Sequence, residues 1–134
     1  MKYKMIKNEL NAVAEFHNAF GIKSADSPIA NIPGQTILLR YNLMKEENEE
    51  YLDAAQKNDL VEVADALGDM LYILCGTILS HGMQHKITEV FNEIQRSNMS
   101  KLGDDGKPIY REDGKVLKGP NYFKPDIKSI LYKD

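Results

Sequence analysis

The stretch from Met70 to Leu79, MLYILCGTIL, is apolar around the whole circumference of any helix it forms. A helix of that kind has to be covered on every side. Upstream, Val63, Leu67, Met70, Leu71 and Leu74 keep helical spacing, which predicts a helix over about 60–80. Asp59 stands before it as an N-cap residue, and Gly82 follows where a helix C-terminus favours glycine. Four short helices in one monomer would struggle to cover this segment. Association of identical copies through the helical body, as a homodimer or homotetramer, is therefore expected. The apolar run itself is too short to cross a bilayer and contains Gly76 and Thr77, so no membrane partner is expected.

Three further helices follow from the same periodicity. Ile6, Leu10, Val13, Phe16 and Phe20 predict a helix over about 2–20 that closes near Gly21. A second helix is expected over about 36–57, and a fourth over about 86–98 with Ile87, Val90, Phe91 and Ile94 on one face. Residues 21–35, GIKSADSPIANIPGQ, are too rich in Gly, Pro, Ser, Asp and Asn for regular structure. A loop of that length inside a compact domain is often functional. After Leu102 the periodicity fades. PIYR and KVLK flank the turn dipeptide Asp113-Gly114, so residues 102–134 are expected to form a C-terminal arm or lid that could hold a small β-hairpin. The expected fold class is all-α, a four-helix-bundle-like body with this irregular arm, in a single domain over 1–134.

Bulk properties narrow the function classes. At 134 residues the chain is one domain's worth. A net charge of -3 gives no basic footprint for nucleic acid. A single cysteine, Cys75, excludes an internal disulfide and fits a reducing compartment. With no apolar leader in MKYKMIKNELNAVAEF, a cytoplasmic location is expected.

The chemistry lies in acids placed on apolar arcs. In LMKEENEEYLDAA the glutamates at neighbouring helical positions repel one another. On a wheel of about 100° per residue, Glu46, Glu47 and Glu50 fall within about 100° of one another, on the arc of Leu39, Leu43 and Ala54. Glu49 falls on the other side of Glu46, as a surface charge would. In LVEVADALGDMLYIL, Glu62, Asp65 and Asp69 lie within about 60° of one another, beside the apolar set. Consecutive helices joined by a short turn pack antiparallel, so the two acidic stripes can face each other. So many carboxylates at a partly dry site cannot all stay ionised without cations. An all-oxygen donor set without thiolates suits a hard divalent ion, Mg²⁺ or alternatively Mn²⁺. The absence of any Glu-x-x-His pair weighs against a di-iron bundle. His81 and His85 have ligand spacing, but Gly82 lies between them, and His17 shows no partner. Cys75 is expected to be a small buried hydrophobe.

The strings LRYNLMKEENEEYLDAA and DLVEVADALGDMLYILCGTIL resemble the all-α nucleoside triphosphate pyrophosphohydrolase superfamily, which includes MazG, dimeric dUTPases and phosphoribosyl-ATP pyrophosphohydrolase. The tail RSNMSKLGDDGKPIYREDGKVLKGPNYFKPD resembles its small MazG-like, phosphoribosyl-ATP pyrophosphohydrolase-like subgroup. EExxE alone is a weak motif, but ADALGDMLY and SNMSK following it in order make the match specific. By position, the resemblance implies that Glu47 and Glu50, with Asp65, Asp69 and Glu62, hold metal, while Glu46 orients or deprotonates water. The second motif, ExxD, fits two frames. Glu62-Val63-Ala64-Asp65 satisfies it literally, whereas alignment on GDMLY leaves Ala66 where many members carry Glu. Asn98 and Lys101 match a pattern that contacts the sugar and phosphates, and Arg96, Lys115 and Lys118 are further candidates to meet phosphate charge. The implied reaction cleaves the α–β phosphate bond of a (d)NTP or related nucleotide, a small-molecule substrate, to a monophosphate and pyrophosphate. The alternative is a non-catalytic helical oligomer of the same fold that binds a nucleotide or a partner.

Overall fold

The computed structural model describes residues 6–133. Its helices are α1 (Lys7–Ala19), α2 (Gly34–Gln56), α3 (Leu60–Ser80), α4 (Ile87–Met99) and α5 (Ile127–Leu131). The fold is all-α, as the periodicity predicts, and all four expected helices are present. The portion of the first expected helix over 2–5 lies outside the described residues. The described residues up to His85 form one compact unit, and those from Lys86 onward form a second, so α4 groups with the arm.

In the first unit the helix ends are set by local chemistry. Asp59 caps α3 by accepting from the Glu62 backbone N–H at 3.2 Å. Past the C-cap His81, the Gly82 N–H donates to Leu79 O and the Met83 N–H to Ile78 O, the paired bonds of a Schellman motif. Gly82 takes the positive φ of +67° that this motif needs. The same paired bonds close α1 at Gly21 and α2 at Asn58, whose φ is 57°. Asn58 thus ends α2 one residue before Asp59 starts α3, and the two helices run antiparallel with the most extensive packing in the unit.

The 21–33 segment is irregular, with bends at 26–27 and 30, and is tied to the end of α3. Ala25 N–H donates to Leu79 O, Ile29 N–H donates to His81 O, and the His81 ring bonds Ile29 O at 2.8 Å. His81 is therefore a structural residue at a helix end, and His85 is exposed. Cys75 is fully buried, and burial, followed by the charge of Glu9, pushes its thiol pKa up.

As a whole, α3 is long and apolar enough to cross a bilayer by length and composition, which the shorter run Met70–Leu79 is not. Here α3 packs against α1 and α2. Its residues Ala66, Cys75, Gly76, Ile78 and Leu79 are buried, whereas Leu60, Val61, Leu67 and Leu74 remain exposed.

In the second unit, Ser97 is buried and its hydroxyl donates to Phe123 O at 2.8 Å, which ties α4 to the arm. Asp126 caps the short α5 by accepting from Ser129 N–H. The expected hairpin is reduced to an isolated antiparallel bridge, Tyr110 to Val116, around Asp113-Gly114.

Candidate functional site

The acidic side chains of α2 and α3 meet near the α2–α3 turn. Glu50, Glu62 and Asp65 line a cleft of about 340 Å³ together with Asp53, Lys57 and Asp59. Neither Asp53 nor Asp59 stood out in the sequence as a site residue, because a surface acid beside a helix end is the ordinary case. Lys57 is their local cation, paired with Asp53 at 2.9 Å. Both partners are mostly exposed, so the pair contributes little to stability.

Glu47 is where the electrostatic tension concentrates. The residue is half-buried, and its Oε2 is shut off from solvent without a hydrogen-bond partner among the described residues. Its pKa rises to about 7, first through burial, then through a hydrogen bond with Glu50 and the charges of Glu50, Asp69 and Asp65. Near neutral pH Glu47 thus keeps part of its proton, as expected when carboxylates crowd together without a cation. Among the described residues, however, no three Asp, Glu, His or Cys side chains converge closely enough to hold an ion as they stand. The donor chemistry suits a hard divalent cation, but the side chains would have to turn inward to form a cage.

The structure divides the arc expected on α2, with Leu43, Glu47 and Ala54 facing inward and Leu39, Glu46 and Glu50 exposed. Glu46 is exposed, and none of Glu46, Glu47 and Asp69 lines the cleft. Leu39, the supposed apolar partner of Glu46, is 54% exposed. On α2, Arg40 and Ala54 are buried and Thr36, Leu43, Met44, Glu47 and Ala55 are half-buried, so Arg40 is the inward residue that the expected arc did not include. Asp69 is exposed on α3 and acts on Glu47 through its charge. Ala66 is 2% exposed, so a longer acid there would be desolvated.

The phosphate candidates all belong to the second unit. Asn98 is exposed and Lys101 half-buried, at the C-terminal end of α4. Arg96 is already engaged, paired with Glu93 at 2.8 Å and lying 4.3 Å from the centre of the Phe123 ring. Lys118 lies 4.8 Å from the centre of the Tyr122 ring, and Lys115 is exposed.

A protein of Acanthamoeba polyphaga mimivirus, itself uncharacterised, is 38% identical over 80 residues, covering 56% of this chain and 32% of the relative. The chain thus spans about a third of that relative's length. A crystal structure from Exiguobacterium sp. 255-15, provisionally named an NTP pyrophosphohydrolase, covers 90% of both chains at 28% identity with a TM-score of 0.47. The family described as phosphoribosyl-ATP pyrophosphohydrolase matches residues 13–98, more than half of the chain. That span contains both acidic helices, and the chain belongs to the phosphoribosyl-ATP pyrophosphohydrolase family.

Proposed function

We propose that the protein is a metal-dependent nucleotide pyrophosphohydrolase that cleaves the α–β phosphate bond of a (d)NTP or related nucleotide. Family membership supports nucleotide pyrophosphohydrolysis in general. The observation that carries the metal is Glu47, whose buried, unpartnered Oε2 sits among the charges of Glu50, Asp65 and Asp69. Those four carboxylates would hold Mg²⁺ or Mn²⁺, and Glu62 lines the cleft that Glu50 and Asp65 also line. When bound, such an ion supplies positive charge for the polyphosphate oxygens and makes nearby water more acidic. Glu46, exposed beside them, is free to orient a water and accept its proton as the anhydride bond breaks and pyrophosphate leaves. Asn98 and Lys101 would secure the sugar and phosphates. The exposed apolar side chains of α3 support a homo-oligomer, since a second copy would cover them.

Lys101→Ala is expected to raise KM by about tenfold with kcat little changed, as loss of one charged phosphate contact does. A normal KM would return Lys101 to the ordinary surface.

The metal itself is tested by melting. Because the folded-state pKa of Glu47 lies above its ordinary value of 4.5, stability is fully present below about pH 4.5 and is lost as pH rises through about 7. Without divalent ions, Tm should therefore fall from about pH 5 to about pH 8, and millimolar Mg²⁺ should restore it by several degrees at the higher pH. A Tm unmoved by Mg²⁺ and by Mn²⁺ would overturn the metal site. The buried Ala66 and the lack of three convergent donors favour a second reading, a non-catalytic nucleotide binder. Screening (d)NTPs and phosphoribosyl-ATP for released pyrophosphate separates the two.

A further inference from the structure

Helix α4 does not by itself fix Lys101. The helix ends at Met99 with Ser100 as its C-cap, so Lys101 lies beyond the ladder of bonds that holds a helix in shape. Its backbone is bonded on both sides instead. The Lys101 N–H donates to Asn98 O at 3.1 Å, and the Lys101 carbonyl oxygen accepts from the Gly119 N–H at 2.8 Å. The first bond ties Lys101 to Asn98, and the second ties the pair to the arm.

Gly119 reaches that carbonyl because it has no side chain. A Cβ there would collide with Leu102 O and lie 2.6 Å from Lys101 O and 2.9 Å from Leu102 C. All three are backbone atoms, so relief would require the Lys101–Leu102 peptide to move. Gly119 does not take a left-handed φ, so the close approach alone calls for glycine here.

One face of α4 brings the arm to this point. Lys133 pairs with Glu89 at 2.6 Å, the Asp126 N–H donates to Glu93 Oε2 at 2.7 Å, and Ser97 Oγ donates to Phe123 O at 2.8 Å. Ser100 Oγ accepts from the Phe123 N–H at 3.1 Å and donates to Ser97 O at 2.5 Å. Positions 89, 93, 97 and 100 recur at steps of four and three, the spacing of a single helix face. The two serines together take both main-chain polar groups of Phe123. The arm is thus clamped along α4, and Gly119 meets the helix end that carries Asn98 and Lys101.

We propose that Gly119 is a positioning residue that holds Lys101 beside Asn98 through its backbone bond, with Ser97 and Ser100 as the clamp that keeps the arm in place. The proposal rests on the nucleotide reading above, in which Lys101 secures the phosphates. A lysine whose backbone is already fixed loses less freedom when it binds, so its contact contributes more. Loosening it weakens phosphate binding and leaves the acids of α2 and α3 untouched, which separates KM from kcat.

The test measures KM and kcat with the canonical (d)NTP that turns over fastest, and Kd for magnesium pyrophosphate by calorimetry. G119A should raise KM and Kd by about five- to tenfold and leave kcat within about twofold. In G119A/K101A the rise should exceed that of K101A by no more than about twofold, because both changes remove the same contact. Additive rises, or a folded G119A with wild-type KM and Kd, would overturn the proposal. S100A removes one hydroxyl and adds no atom, and should raise both constants by about threefold. Unchanged values there would overturn the clamp. K133A breaks an exposed pair at the far end of the arm and should change neither constant. A rise equal to that of G119A would show general loosening of the arm and overturn the positioning role. If no nucleotide is turned over, Kd for pyrophosphate decides alone. K101A without effect overturns the phosphate reading and this proposal together, whereas an effect in K101A beside none in G119A overturns this proposal alone.

Discussion

Glu50→Gln and Asp69→Asn are each expected to lower Mg²⁺-dependent kcat/KM for pyrophosphate release by more than about a hundredfold, with the helices intact. Even groups standing behind metal ligands typically cost about 10- to 100-fold when removed, so donors themselves should cost more. Both side chains are exposed, and their amides are close in shape, so little packing is lost. Circular dichroism and melting verify the fold, and unchanged activity in both variants would sink the site assignment. Glu47→Gln sharpens the test because its two effects have opposite sign. Turnover should be lost to the same degree, but the metal-free protein should melt higher than wild type above about pH 7. The wild-type side chain is there being ionised with its Oε2 shut away from water, and the neutral amide avoids that penalty. A lower Tm at that pH would mean that Glu47 contributes to packing rather than to charge crowding.

Gly82→Ala is expected to destabilise the first unit by about 3 kcal/mol or more, a fall in Tm of about 10 °C or more. Two costs add. The residue holds φ +67°, which an L side chain adopts only with strain. Its new Cβ would also collide with the Ser27 carbonyl oxygen and lie 2.6 Å from the carbonyl carbon, both backbone atoms with little freedom to yield. Gly21→Ala is the control, for Gly21 has a similar φ of +69° with nothing within 4 Å. It should cost only about 1 kcal/mol, the strain alone. Equal Tm losses in the two variants would show that the 21–33 segment gives way freely and that its approach to α3 contributes no rigidity.

The sequence carried the helix boundaries well because capping is local. Asp59 bonds three residues ahead, and Gly82 closes a motif with donors and acceptors within six residues. Residues this close express their preferences without knowing the rest of the chain. α5 escaped the same reading. It is five residues long in a Gly- and Pro-rich arm, too short for a periodicity to register, and it depends on the Asp126 cap. The count of acids on each of α2 and α3, and their alignment in stripes, was equally legible.

What the chain alone left open was which side of each stripe is buried. The wheel of α2 gave Glu46, Glu47 and Glu50 one arc with Leu39, Leu43 and Ala54, and left Arg40 out of it. Tertiary structure adds Arg40 to the inward side, since the acceptors that make it tolerable inside, Ile73 O and Thr77 Oγ1, lie on α3 and more than thirty residues away. The same packing shuts the Glu47 oxygen from solvent while Glu46 stays exposed, and sets His17 and Arg40 on the wall of one cavity. Sequence by itself determined the helices and the acidic character of the site. Only the packing of α1, α2 and α3 decided which acid loses its water and which cation faces the cavity, because burial depends on contacts between segments that no local pattern records.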